Sequence, residues 1–303
     1  MRRSTTFAGT ESPAGTERAD SWAGFTRTAR RLVLVGALLV ELLLAVVLIR
    51  TSAPALPPYP PPAAPSTTAV APVVPQPDPL TSMVLPDGRT ARLLALGGPQ
   101  SSALLQRLAA ELPDAAAAVT AFWGRDWPRD IEIAVAGSDQ QFRVLAGGAA
   151  DIAATTTAQR VMFAPGAAGM SPAALRIVLR HELFHYAARS RTAADAPRWL
   201  TEGVADYVGR PPAAVPGPAQ AAALARLPTD ADLDTPGAAR SLAYDRAWWF
   251  SRYVADAYGV PKLRELYLRA CGPGHPDVTS AVRETLGADL GAVVARWRRW
   301  LTG

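Results

Sequence analysis

Eleven prolines fall between Pro54 and Pro79, and no other feature constrains the fold of this chain as much. Proline lacks a backbone N–H and fixes φ near −65°, so the stretch can form neither a helix nor a sheet ladder. It extends instead as polyproline II, at about 3.1 Å per residue. The folded body must lie to one side of it. Of the 303 residues, those from 81 to 303 are numerous enough to build one domain with its own core, and 50–80 read as a Pro-rich stalk.

On the other side of the stalk, residues 32–49 form an 18-residue run of Leu, Val, Ala and Ile interrupted only by Gly36 and Glu41. As a helix it would rise about 27 Å, close to the ~30 Å hydrocarbon thickness of a bilayer. Arg27, Arg30 and Arg31 precede it, and the positive-inside rule then keeps residues 1–31 cytoplasmic. The expectation is a transmembrane signal anchor over 32–49, making the chain a single-pass cell-membrane protein with its folded domain outside the cytoplasm. A cleaved signal peptide ending at Ala53-Pro54-Ala55 is the competing reading. Signal peptides carry apolar regions of about 7–15 residues, so the longer run and its long leader favour the uncleaved anchor.

Composition narrows the function classes. The chain is 49% hydrophobic and 19% charged, which argues against general disorder. Lys262 is the only lysine, and the net charge of +5 is arginine scattered without a dense basic stripe interleaved with aromatics. Nucleic acid is therefore not an expected partner. Cys271 stands alone, which excludes an intrachain disulfide and a cysteine-based zinc site.

Within 81–303 the pattern is mixed. Segments 83–85 and 89–94, joined through Pro86-Asp87-Gly88, read as a hairpin. Residues 100–123 have helical spacing, with Pro113 either tolerated or breaking it. Residues 131–135 alternate as a strand, 138–145 suit a short helix, and 152–157 and 160–164 read as a second strand pair. Beyond Ser171 the spacing is helical almost to the end. The expected class is α+β, a small mixed sheet followed by a helical half.

The chemistry concentrates in two segments of that half. His181-Glu182-Leu183-Phe184-His185 is an H-E-x-x-H motif, in a helix opened by Ser171-Pro172. Residues four apart share a helical face, so both imidazoles can reach one Zn²⁺. Glu182 points about 100° around the helix, out of the ligand set but close enough to act as general base on an attacking water. Seventeen residues after His185, Glu202 lies in a second helix opened by Pro197 and ending near Gly209. A turn and an antiparallel return would bring its carboxylate to the histidines, completing the three protein ligands of a catalytic zinc site. Asp206, one turn further along, is positioned to accept the free imidazole N–H of His181.

With Trp199-Leu200-Thr201-Glu202-Gly203 added to the H-E-x-x-H motif, the sequence resembles the gluzincin branch of zinc peptidases, in particular the compact peptidase MA-like domains. The resemblance runs over roughly residues 90–303 and is strongest from 176 to 270. It implies a zincin-like domain that uses Zn²⁺ to hydrolyse a peptide or protein substrate. His181, His185 and Glu202 would be metal ligands and Glu182 the base, with an edge strand near 160–164 pairing with the extended substrate. The Gly-x-Met-x-Asn signature of aminopeptidases is absent, so the resemblance points to an endopeptidase. Tyr244 is an oxyanion-donor candidate that reads better as a core aromatic, and His275 reads as an exposed loop residue. Two other readings stay open: a non-catalytic ectodomain with a vestigial or structural zinc site serving as a binding scaffold, and a hydrolase of another amide.

Overall fold

The computed structural model describes residues 81–147 and 151–302. The expected tail (1–31), anchor (32–49) and stalk (50–80) lie outside them. Among the described residues no helix is long and apolar enough to cross a membrane.

The domain opens with strand β1 (Thr81–Val84), which turns through Pro86-Asp87-Gly88 into the antiparallel strand β2 (Thr90–Ala95). Gly88 takes φ 81°, a left-handed conformation that side chains other than glycine's adopt at a cost. Helix α1 (Pro99–Trp123) then crosses to β3 (Asp130–Val135), which lies parallel to β2. Pro113 is accommodated within α1 rather than breaking it. A short helix α2 (Asp139–Ala146) leads to β4 (Ala154–Thr156) and β5 (Val161–Phe163), which pair antiparallel. The five-stranded sheet has the order β1-β2-β3-β5-β4, so β5 is inserted beside β3 and β4 is left at the margin.

That order corrects one expectation. Segment 160–164 was expected at the sheet edge, yet β5 has a strand on both sides and its three residues are buried. The edge strand at that end of the sheet is β4. Short apolar strands do not announce their order: β5 reads Val-Met-Phe, the uninterrupted apolar pattern of a strand covered on both faces.

One sheet face and the helices share the main core, with Ile131, Ile133, Val135, Val161 and Phe163 packed beneath Leu104, Leu108 and Leu112 of α1. The other face carries a smaller cluster in which Phe142 of α2 covers Ala134 and Met162. The helical half follows: α3 (Pro172–Ala188), α4 (Arg198–Gly209), the short α5 (Pro218–Leu224) and α6 (Asp230–Asp234), then α7 (Ala238–Tyr258), α8 (Val260–Cys271), α9 (Val278–Leu286) and α10 (Leu290–Thr302). Helix α4 is the centre of this half, packed against α3 on one side and α7 on the other. Glycines allow both approaches. A Cβ on Gly203 would lie 2.5 Å from the Ala247 carbonyl oxygen of α7, and one on Gly209 would lie 2.9 Å from the Ile177 carbonyl oxygen of α3.

Candidate metal centre

The site is the seam between α3 and α4. Helix α3 starts where the Ser171 hydroxyl accepts a hydrogen bond from the Ala174 N–H, with Pro172 in the first turn. It is fixed by Leu175, Leu179, Leu183 and Phe184, all buried, and by the Tyr186 hydroxyl, which donates to the Asp130 carbonyl at 2.8 Å. This anchoring sets the rotation of α3 about its axis and turns His181 and His185 towards α4. The close approach permitted by Gly209 brings Glu202 up to them.

His181 Nε2 lies 3.1 Å from His185 Nε2 and 3.1 Å from Glu202 Oε2, and His185 Nε2 lies 3.6 Å from the same oxygen. His181 Nδ1 faces Asp206 Oδ1 at 2.9 Å. A carboxylate only accepts, so a proton belongs on His181 Nδ1 towards Asp206, and Nε2, which faces Glu202, is the nitrogen that a cation in the seam would engage. Donor atoms this close need a proton or a metal cation among them. A tetrahedral ion ~2.0–2.1 Å from each of three ligands would hold those ligands about 3.3–3.4 Å apart, and the observed triangle has that size. The donor set of two imidazoles and a carboxylate therefore fits a divalent metal ion, and among the described residues these three are the group of His, Cys, Asp and Glu gathered closely enough to hold one. Their side chains are 13–20% exposed, so the open side of the triangle faces solvent.

Electrostatics follow from the packing. Burial pulls the His181 pKa down, but its bonds to Asp206 and Glu202 and their charges outweigh this, and the pKa is raised well above the ordinary histidine value. Burial pushes Glu202 up, yet the charge of His185 and the bonds to both histidines hold it well below the usual carboxylate range. For Asp206, burial is likewise outweighed, here first by the Arg210 charge and then by His181, and the carboxyl is lowered. Both carboxylates are therefore anionic at neutral pH, and a cation bound in the seam would displace the proton that they hold on His181.

Glu182 is buried, and its carboxylate has a partner the sequence did not reveal. The Thr156 hydroxyl on β4 lies 2.8 Å from Glu182 Oε2 and 2.8 Å from the Glu182 carbonyl oxygen. It ties the sheet edge to the metal helix and restrains the rotamer of Glu182. Arg210 was also missed; it stands at the end of α4 and pairs with Asp206.

The other candidates sort clearly. Tyr244 packs against the core as expected, and it also faces the site, its ring centroid 6.3 Å from that of His181. Burial first, then the charges of Glu202 and Asp206, push its hydroxyl up, so it stays a hydrogen-bond donor. His275 corrects an expectation: its side chain is only 12% exposed and its Nε2 lies 3.5 Å from Asp195, away from the cluster. The tight turn of Gly272-Pro273-Gly274, with Gly274 at φ 72°, folds it inward. Cys271 is fully buried and its thiol is pushed up to about 12, so it supplies no thiolate at neutral pH.

No protein-family model matches the sequence, and no curated protein matches it. Solved structures that the chain partly resembles include a mutant two-domain M1 zinc metallopeptidase bound to L-arginine, at 16% identity and TM-score 0.44, covering 75% of this chain and 51% of that one. A mutant M1 zinc metallopeptidase from Deinococcus radiodurans matches at 17% identity and TM-score 0.41, covering 75% of this chain and 52% of that one. Another M1 zinc metallopeptidase structure from Deinococcus radiodurans gives 17% identity, TM-score 0.42, and coverage of 75% and 51%. The chain spans about half the length of these structures. At such values the likeness carries no argument about function, which rests on the geometry of this chain's own site.

Proposed function

We propose that this chain is a zinc-dependent peptidase in which His181, His185 and Glu202 hold the metal and Glu182 is the general base. The observation that carries the reading is the convergence of three electron-pair donors 3.1–3.6 Å apart, one residue along the helix from a buried carboxylate. When bound, zinc supplies a Lewis acid for the scissile carbonyl and lowers the pKa of water.

The remaining work belongs to side chains of the chain. Glu182 takes the proton of the attacking water and delivers it to the leaving amine. Thr156 holds that carboxylate at Oε2, which leaves the other oxygen to take the proton. Asp206 holds the His181 proton on Nδ1 and keeps Nε2 available. The outer edge of β4, which carries Thr156 and has no further strand beside it, is where an extended peptide would lie as an added strand. Pairing along an edge needs no free α-amine, which favours cleavage of internal peptide bonds. Anchoring through residues 32–49, with the N-terminus cytoplasmic and the domain outside, completes the proposal and rests on the arginines before that run.

Zinc analysis of the purified full-length chain, with cleavage of a broad peptide library with and without chelator, tests the reading. Stoichiometric zinc and chelator-sensitive cleavage are expected, and His181→Ala, His185→Ala or Glu202→Ala should each lose both. Zinc bound without any cleavage would favour a scaffold, and full zinc content in Glu202→Ala would remove that residue from the ligand set. Protease added to intact cells should release the domain from the 54–79 segment; protection until lysis would contradict the orientation.

A further inference from the structure

The contacts behind His181 do not stop at Asp206. One carboxylate oxygen of Asp206 accepts from His181, and the other, Oδ2, lies 2.6 Å from Nη2 of Arg210, one turn along α4. Arg210 Nη1 donates to Asp245 Oδ1 on α7 at 2.7 Å, and its guanidinium lies 5.0 Å from the centre of the Trp248 ring. One arginine thus bridges carboxylates on two helices and leads to a metal-cluster histidine.

We infer that Arg210 is a positioning residue of the metal centre: by clamping Asp206 to Asp245 it fixes the Asp206 carboxylate, and through it the ring of His181. This rests on the zinc reading above. Asp206 is only 4% exposed, so water offers its second oxygen little compensation if the guanidinium is removed. A carboxylate held at one oxygen can turn about its terminal torsion, which is soft, and the imidazole bonded to it turns as well. With the Arg210 charge against its second oxygen, that turning is restrained. The guanidinium donates a directed bond to Asp245 and meets Asp206 Oδ2 as a close ion pair outside hydrogen-bond alignment, so its charge and its anchored position, rather than a second directed bond, hold the carboxylate. Asp245 in turn keeps Arg210 from swinging towards solvent, since the anchor lies on α7, the helix packed tightly against α4 at Gly203.

Two measurements on the full-length chain test this: zinc affinity by chelator competition, and the visible spectrum of the cobalt(II)-loaded protein, which reports ligand geometry. Arg210→Met should weaken zinc binding about tenfold, the low end of the range for residues that orient metal ligands, and should shift the cobalt bands. Arg210→Lys should recover part of the affinity, and Asp245→Asn should give a smaller loss with the same sense of spectral change. Should Arg210→Met fail to fold, Arg210→Lys and Asp245→Asn carry the test. A wild-type cobalt spectrum and zinc affinity within twofold of wild type in the folded variants would overturn the inference while leaving the zinc reading intact. A wild-type chain that binds no zinc would overturn both.

Discussion

Between α3 and α4, His181, His185, Glu202 and Asp206 meet within hydrogen-bonding distance, whereas beyond the far side of α4 lies an aromatic cluster that α4 joins through Trp199. There Trp199 meets Phe250 edge to face at 5.3 Å, Phe250 meets Trp297 at 5.4 Å, and Trp300 covers Trp249 and Tyr253. The aromatic side buries large apolar area, which is the main favourable contribution to folding. The polar side takes charged groups out of water, and such seams seldom add net stability over apolar residues of the same shape. One helix therefore has a face that holds the fold together and a face that folding alone does not require. The second face is what a binding or catalytic role explains.

That division can be broken by mutation. Trp297 is fully buried, and Trp297→Ala should cost about 3–5 kcal/mol in denaturant unfolding while zinc affinity per folded molecule stays unchanged. Among the described residues its indole N–H has no partner, so Trp297→Phe should cost much less. Next in size, free zinc at a hundred times its dissociation constant should raise stability by about 2.7 kcal/mol, an effect that chelator reverses and Glu202→Ala abolishes. If zinc stabilised Glu202→Ala equally, the polar face would not be the binding face. Gly203→Ala should come third, at about 1–2 kcal/mol, because the new methyl meets the α7 backbone and outweighs the usual helical gain from alanine. Val144 on α2 is 77% exposed and belongs to neither face; Val144→Ser should stay within about 0.5 kcal/mol in thermal unfolding.

The two faces also differ in how far the sequence disclosed them. The convergence of His181 and His185 was readable because helical periodicity turns spacing directly into geometry. Glu202 and Asp206 followed, since a short link between two helices leaves few arrangements and Asp206 is one turn from Glu202. The α+β class and the sequence of strands were also legible, down to the hairpin of β4 and β5. Thr156 was not, because it is 26 residues from Glu182 on a three-residue strand whose place in the sheet is set by tertiary packing. The same ignorance of strand order put β5 at the edge instead of β4. Arg210 was not legible either, because its partner Asp245 is 35 residues away on α7. In the aromatic cluster at 248–253, one residue braces α4. Phe250 does so through Trp199, while Trp249 and Tyr253 pack on α10.

The most direct test of the account is Glu182→Gln, measured for zinc content and peptide hydrolysis in the same preparation. Glutamine keeps the size and can still bond to Thr156, but it cannot take a proton. Zinc should remain at the wild-type level while hydrolysis falls about 10²–10⁴-fold, the range for loss of a general base. Loss of zinc would make Glu182 a ligand or a support of the metal, and retained zinc with near-full hydrolysis would contradict its assignment as the base.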